Sequence, residues 1–180
     1  MGDLGFWRLA EADPERLALV GPDGTERTAG ELLAAANRAA HGFRALGLEA
    51  GDTVALLMPN SIELIELYLG AIQIGLYLTP INWHLVGPEV AYILTDSDAK
   101  VFVAHERLAD VAVAAADEAG FPADRRFAVG SIDGFRPVAE LTEVRDRITS
   151  TTATRDQAVA DQARLRSQAE LDIQAIADTR

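Results

Sequence analysis

Gly51-Asp52-Thr53-Val54-Ala55-Leu56-Leu57-Met58-Pro59-Asn60-Ser61 is the stretch that decides the fold. Val54 to Met58 are apolar without polar alternation and lie between Gly51-Asp52 and Pro59-Asn60, the pattern of a strand covered on both faces in a parallel sheet. Pro59 stops the strand, Asn60 or Ser61 is placed to cap the next helix, and Glu63 puts a carboxylate in its first turn. That helix is expected from about Ile62 to Ile74. Glu63, Glu66 and Gln73 form only a narrow polar strip on it, so most of its circumference is expected to be covered. Gly75 ends it, and a short apolar run, Leu76 to Leu78, is cut by Pro80. The unit reads as strand, crossover helix, strand.

Towards the amino terminus, Gly5 to Ala12 carries a brief helical pattern ending at Pro14. Leu17-Ala18-Leu19-Val20, then Asp23-Gly24, then Thr25-Glu26-Arg27 reads as a small hairpin. Thr28-Ala29-Gly30-Glu31 fits a capping box, and the helix behind it is expected to run to about Leu46, with Gly47 as its left-handed stop. Towards the carboxyl terminus, Gly87-Pro88-Glu89 opens a helix that Asp96-Ser97-Asp98 ends. Lys100 to Ala104 is a further buried strand, Leu108 to Ala119 an amphipathic helix closed by Gly120-Phe121-Pro122, and Arg126 to Gly130 a fourth strand. Strands and helices alternate from Thr53 onward, which predicts an α/β layered sandwich with a mainly parallel sheet.

The last forty residues differ in character. From Leu141 to Arg180 there is no Gly, Pro or aromatic residue, and Thr149-Ser150-Thr151-Thr152-Ala153-Thr154 reads as a joint. Arg155 to Thr179 is expected to be a polar helix with a thin stripe of Leu165, Ala169, Ile173 and Ile176. The expected division is therefore 1–140 and a helical tail, 141–180, of unrelated appearance.

A net charge of −12 without any Lys/Arg cluster disfavours nucleic acid and acidic membrane surfaces as partners. The absence of cysteine excludes disulfides and thiolate metal sites. The start, Met1-Gly2-Asp3-Leu4, has no export signal, and the most apolar helix carries Glu63, Glu66 and Gln73, so the expected compartment is the cytoplasm and no membrane span is expected. The histidines, His41, His84 and His105, are too scattered to share a metal, and none is expected. His84 is the best candidate of the three, because with Asn82 and Trp83 it follows a strand's carboxyl end, where open α/β sheets place ligands. His41 and His105 read as structural or merely solvated. No Gly-rich phosphate loop and no nucleophile elbow occurs, and the Thr149 to Thr152 run lacks the glycines that let backbone approach an anion.

Arg27-Thr28-Ala29-Gly30-Glu31-Leu32, Gly51-Asp52-Thr53-Val54-Ala55, Pro59-Asn60-Ser61-Ile62-Glu63, Ala71-Ile72-Gln73-Ile74-Gly75 and Pro80-Ile81-Asn82-Trp83-His84-Leu85, followed by Glu89 and Ile93 to Val101, resemble in order the amino-terminal segment of AMP-forming acyl-CoA synthetases of the adenylate-forming superfamily. The likeness covers about Gly5 to Ala139 and is closest in wording to actinobacterial fatty-acyl-CoA synthetases. It implies the amino-terminal part of the AMP-binding large domain over 1–140. It also implies a family reaction in which ATP and magnesium activate a carboxylic acid to an acyl-adenylate whose acyl group passes to coenzyme A. In the family the phosphate-holding loop and its lysine, the Thr-Glu pair, the ribose-binding Asp and the catalytic lysine come later, and none has a counterpart here. The resemblance thus implies a truncated synthetase with no catalytic, cofactor-binding or metal residues of its own and no cofactor held by this chain. The rival readings are a non-catalytic interaction or binding protein built on that half-domain, and a gene remnant without function. Self-association through the incomplete sheet is the expected partner relation.

Overall fold

The computed structural model of the chain describes residues 5–142. After α1 (Phe6–Ala12), strands β1 (Leu17–Val20) and β2 (Glu26–Thr28) form a separate antiparallel hairpin. Its turn is held by Asp23, whose two carboxylate oxygens accept from the Thr25 amide at 3.0 Å and the Thr25 hydroxyl at 2.7 Å. The capping box forms as read. Thr28 Oγ1 accepts from the Glu31 amide at 3.3 Å, Glu31 Oε2 accepts from the Thr28 amide at 3.0 Å, and α2 (Ala29–Ala45) follows.

The main sheet is parallel throughout, with order β4-β3-β5-β6-β7. Its strands are β3 (Thr53–Leu57), β4 (Tyr77–Ile81), β5 (Ala99–His105), β6 (Arg126–Val129) and β7 (Arg136–Pro137). The unbroken apolar run of β3 has its explanation in two cores. Val54, Leu56 and Met58, with Val101, Val103 and Phe127, face Phe43 of α2 and Leu67 of α3 (Ile62–Gln73). Ala55 and Leu57, with Phe102, Ala104 and Ala128, face Val90 and Leu94 of α4 (Gly87–Asp96) and Ala112, Ala115 and Ala116 of α5 (Ala109–Glu118). Each strand residue is therefore dry whichever way it points.

Two features depart from the sequence reading and a third refines it. Pro80 does not cut its strand but lies inside β4, which runs on to Ile81. The Tyr77 amide donates to Asp52 O at 2.8 Å, so by alternation Thr79 and Ile81 face β3 and position 80 faces the open edge, where no amide is required. The strand β7 has no sequence signal, since two residues cannot show periodicity. Finally, α3 is covered over most of its circumference, as expected, but unevenly. Ile62, Leu67, Gly70 and Ala71 are buried, but Ile65, Leu69 and Ile72 are half-buried and Tyr68 is exposed. α3 lies so close on α2 that a Cβ built at Gly70 would fall 2.6 Å from Ala39 Cβ.

The expected joint at Thr149 to Thr154 and the expected helix from Arg155 to Thr179 lie outside the described residues. Leu141, at the start of the expected tail, is described: it is buried in the core beneath α2, beside Phe43.

Candidate functional site

From β3 the chain passes to β4 on one side and then to β5 on the other, so the strand order reverses at the β3–β5 pair. In open α/β sheets the connections leaving two such strands diverge and leave a crevice outside their carboxyl ends. A cavity of about 360 Å³ occupies that place. Pro59, Asn60 and Ser61 leave β3 along its floor, His105 and Arg107 leave β5, and the hairpin closes it with Asp23, Thr25 and Arg27.

Local structure fixes each of these groups. Ser61 caps α3, its Oγ accepting from the Leu64 amide at 3.2 Å. The His105 Nδ1 accepts from the Arg107 amide at 3.1 Å, which caps the short 3-10 turn after β5 and leaves Nε2 to carry the proton of the neutral ring. Arg27 is half-buried, with Nε 3.8 Å from Glu66 Oε1 and Nη1 donating to Glu26 O at 3.2 Å. The Arg107 guanidinium is exposed and has no carboxylate or carbonyl partner among the described residues. Between them Glu106 accepts from the Ser131 amide at 2.9 Å and lies against Gly130, at φ +82°, tying the connection after β6 to the one after β5.

The carboxylates around the crevice differ in character. The Thr25 hydroxyl, and after it the Thr25 amide, hold Asp23 below the ordinary carboxylate range. Burial, and then the charge of Glu63, push Glu66 above that range, with Arg27 and Arg38 offsetting only part of the effect.

The structure does not bring the three histidines together. His84 is exposed after β4, its amide donating to Asn82 Oδ1 at 3.1 Å and its ring stacked 3.6 Å from that of Trp83. His41 is half-buried on α2. His105, read as structural, is the one that lines the crevice, and neither Arg27 nor Arg107 was expected there as a site residue. For His105 and Arg107 a usable signal existed: they stand just beyond a buried strand's carboxyl end. Arg27 enters only through the folding of the hairpin.

Among the described residues no group of three His, Asp or Glu could hold a metal ion. Lys100, the one lysine of the sequence, is on β5 near its amino end with Nζ 2.7 Å from Asp98 Oδ2, and it borders a different cavity with Leu48 and Arg125. Among the described residues, the crevice therefore holds no lysine beside its carboxylates.

The profile of the AMP-binding enzyme family matches residues 6–171. The long-chain-fatty-acid–CoA ligase FadD13 of Mycobacterium tuberculosis is 44% identical over 107 residues, which are 57% of this chain and 21% of that protein. The chain thus spans about a fifth of the length of that curated relative. Among solved structures, a putative long-chain-fatty-acid CoA ligase from Rhodopseudomonas palustris superposes with a TM-score of 0.69 at 33% identity, over 76% of this chain and 35% of that one. A benzoate CoA ligase from Burkholderia xenovorans superposes at 0.68 with 27% identity, over 77% and 27% of the two chains. The parallel sheet, the ordered motifs along it and these likenesses agree, and the chain belongs to the family of AMP-binding enzymes, with its likeness to the amino-terminal segment of acyl-CoA synthetases.

Proposed function

We propose that these residues form the amino-terminal scaffold of an acyl-CoA synthetase large domain, and that the 180-residue chain by itself performs neither half of the reaction. The parent reaction is the ATP-dependent activation of a carboxylic acid, of the fatty-acid class that FadD13 is named for, followed by transfer of the acyl group to coenzyme A. The observation that carries the reading is the placement of the sole lysine, paired with Asp98 near the amino end of β5 and absent from the lining of the cavity at the carboxyl ends. Adenylation needs several charge-stabilising groups held around one phosphate. We place the chain in the cytoplasm; among the described residues no helix is long and apolar enough to cross a membrane.

The test is ATP–pyrophosphate exchange and thioester formation by the purified chain, offered saturated fatty acids of several lengths with magnesium and coenzyme A. Neither activity is expected. ATP-dependent thioester formation that co-purifies with the chain and is lost on its immunodepletion would overturn the reading.

A further inference from the structure

The crevice at the β3–β5 switch has a chemistry of its own that does not depend on the acyl-CoA synthetase reading. We propose that it is a binding site for a small phosphate-bearing anion, held between Arg107, Arg27 and His105.

Four observations converge on that place. The sheet topology opens a crevice there, and nothing among the described residues fills its roughly 360 Å³. A guanidinium, that of Arg107, stands at the rim with its donors uncommitted among the described residues, whereas Arg125, Arg126 and Arg136 each hold a carbonyl and a carboxylate. The one acceptor nitrogen of the neutral His105 ring is already engaged by the Arg107 amide, so the ring offers the cavity only a donor. Arg27 supplies a second cation from the hairpin side of the cavity, and its contact with Glu66, at 3.8 Å, is too long for a hydrogen bond.

Two acidic groups also border the cavity, and they select the ligand rather than forbid it. Both oxygens of Asp23 are turned to Thr25, and Glu63 sits in the first turn of α3, where the helix end partly offsets its charge. An anion that fits must therefore be compact and must accept several hydrogen bonds at once, so as to bridge two guanidiniums while staying clear of Glu63. A phosphate group meets both requirements, because its oxygens match the planar fork of arginine. A carboxylate, with two oxygens, accepts fewer hydrogen bonds at once.

The source of the phosphate is either the free ion or a phosphate monoester such as a sugar phosphate. The experiment is an amide-resolved NMR titration of the full chain with inorganic phosphate, and separately with ribose 5-phosphate, at constant ionic strength set by chloride. Saturable shifts are expected at Ser61, Ile62, Arg107 and Thr25, with a dissociation constant on the order of 1 mM. Arg107→Gln should weaken binding about tenfold, and Arg107→Lys should recover part of the loss. Lys100→Gln, at the other end of the sheet, should leave it unchanged. Tighter binding of ribose 5-phosphate than of phosphate identifies an ester as the ligand, and equal binding identifies the free ion. Shifts that chloride alone reproduces, that do not saturate, or that survive Arg107→Gln would overturn the proposal. Arg107 is exposed and holds nothing in the fold through its side chain, so that variant tests binding without a folding defect.

Discussion

Gly70 has no room for a methyl group: a Cβ there would lie 2.6 Å from Ala39 Cβ and 2.8 Å from Ala36 O. Gly70→Ala is expected to force α2 and α3 apart and to destabilise by about 1–3 kcal/mol, read as a lower urea midpoint. Glu66 is set by a different balance. Burial first, and the Glu63 carboxylate second, raise it above the ordinary carboxylate range, so the folded chain holds that proton more tightly than the unfolded chain does. The stability this contributes is complete at acid pH, below the ordinary range, and is lost as pH rises through the raised value. Glu66→Gln removes that loss. The variant is expected to exceed the parent in stability near neutral pH by no more than about 1 kcal/mol, since the Arg27 contact is lost with it, and the difference should close towards acid pH. A pH series of thermal melts checks both the sign and the convergence.

At the scale of elements, two helix ends depend on single side chains. Thr28→Ala removes the acceptor for the Glu31 amide at the start of α2 and is expected to cost about 1 kcal/mol. At the other end of α5, Arg126 is largely buried, donates to Ala116 O at 3.2 Å and twice to Phe121 O, and pairs with Asp117 at 2.7 Å. One planar guanidinium thereby ties the last turn of α5, at Ala116 O and Asp117, to the loop carbonyl of Phe121 that follows it. Arg126→Lys keeps the charge but not the fork, and should cost roughly 1.5–3 kcal/mol. Hydrogen exchange should localise the damage: faster exchange at Phe121 and in the last turn of α5, with β3 unchanged.

For the whole molecule, the question raised by an open sheet is how it avoids indefinite growth. Among the described residues β4 has no neighbour on its outer side, yet Pro80 puts a ring instead of an amide at an outward position. That is a guarded edge. Self-association, expected from the sequence, then has to use side-chain faces rather than strand pairing, and sedimentation at micromolar concentration should show a limited oligomer. Pro80→Thr restores an outward amide in a strand-favouring residue, and larger, concentration-dependent species are expected. If Pro80→Thr sediments like the parent, the edge is not what limits assembly.

The sequence by itself determined the succession of strands and helices, the capping box at Thr28, and the family, because each is written in local patterns: an apolar run of strand length, a hydroxyl three residues before a glutamate, a series of motifs in fixed order. It could not show that Pro80 sits inside a strand, since a proline's place depends on which side of the strand faces a neighbour. Nor could it show that Tyr68 is the apolar-face residue of α3 left exposed, because an apolar helix is read in the same way whichever of its residues the neighbours reach. The crevice was least legible of all. Arg27, Ser61, His105 and Arg107 are spread over eighty residues and share no spacing: the reversal of strand order at β3 and β5 brings the last three to one cavity, and the folding of the hairpin adds Arg27.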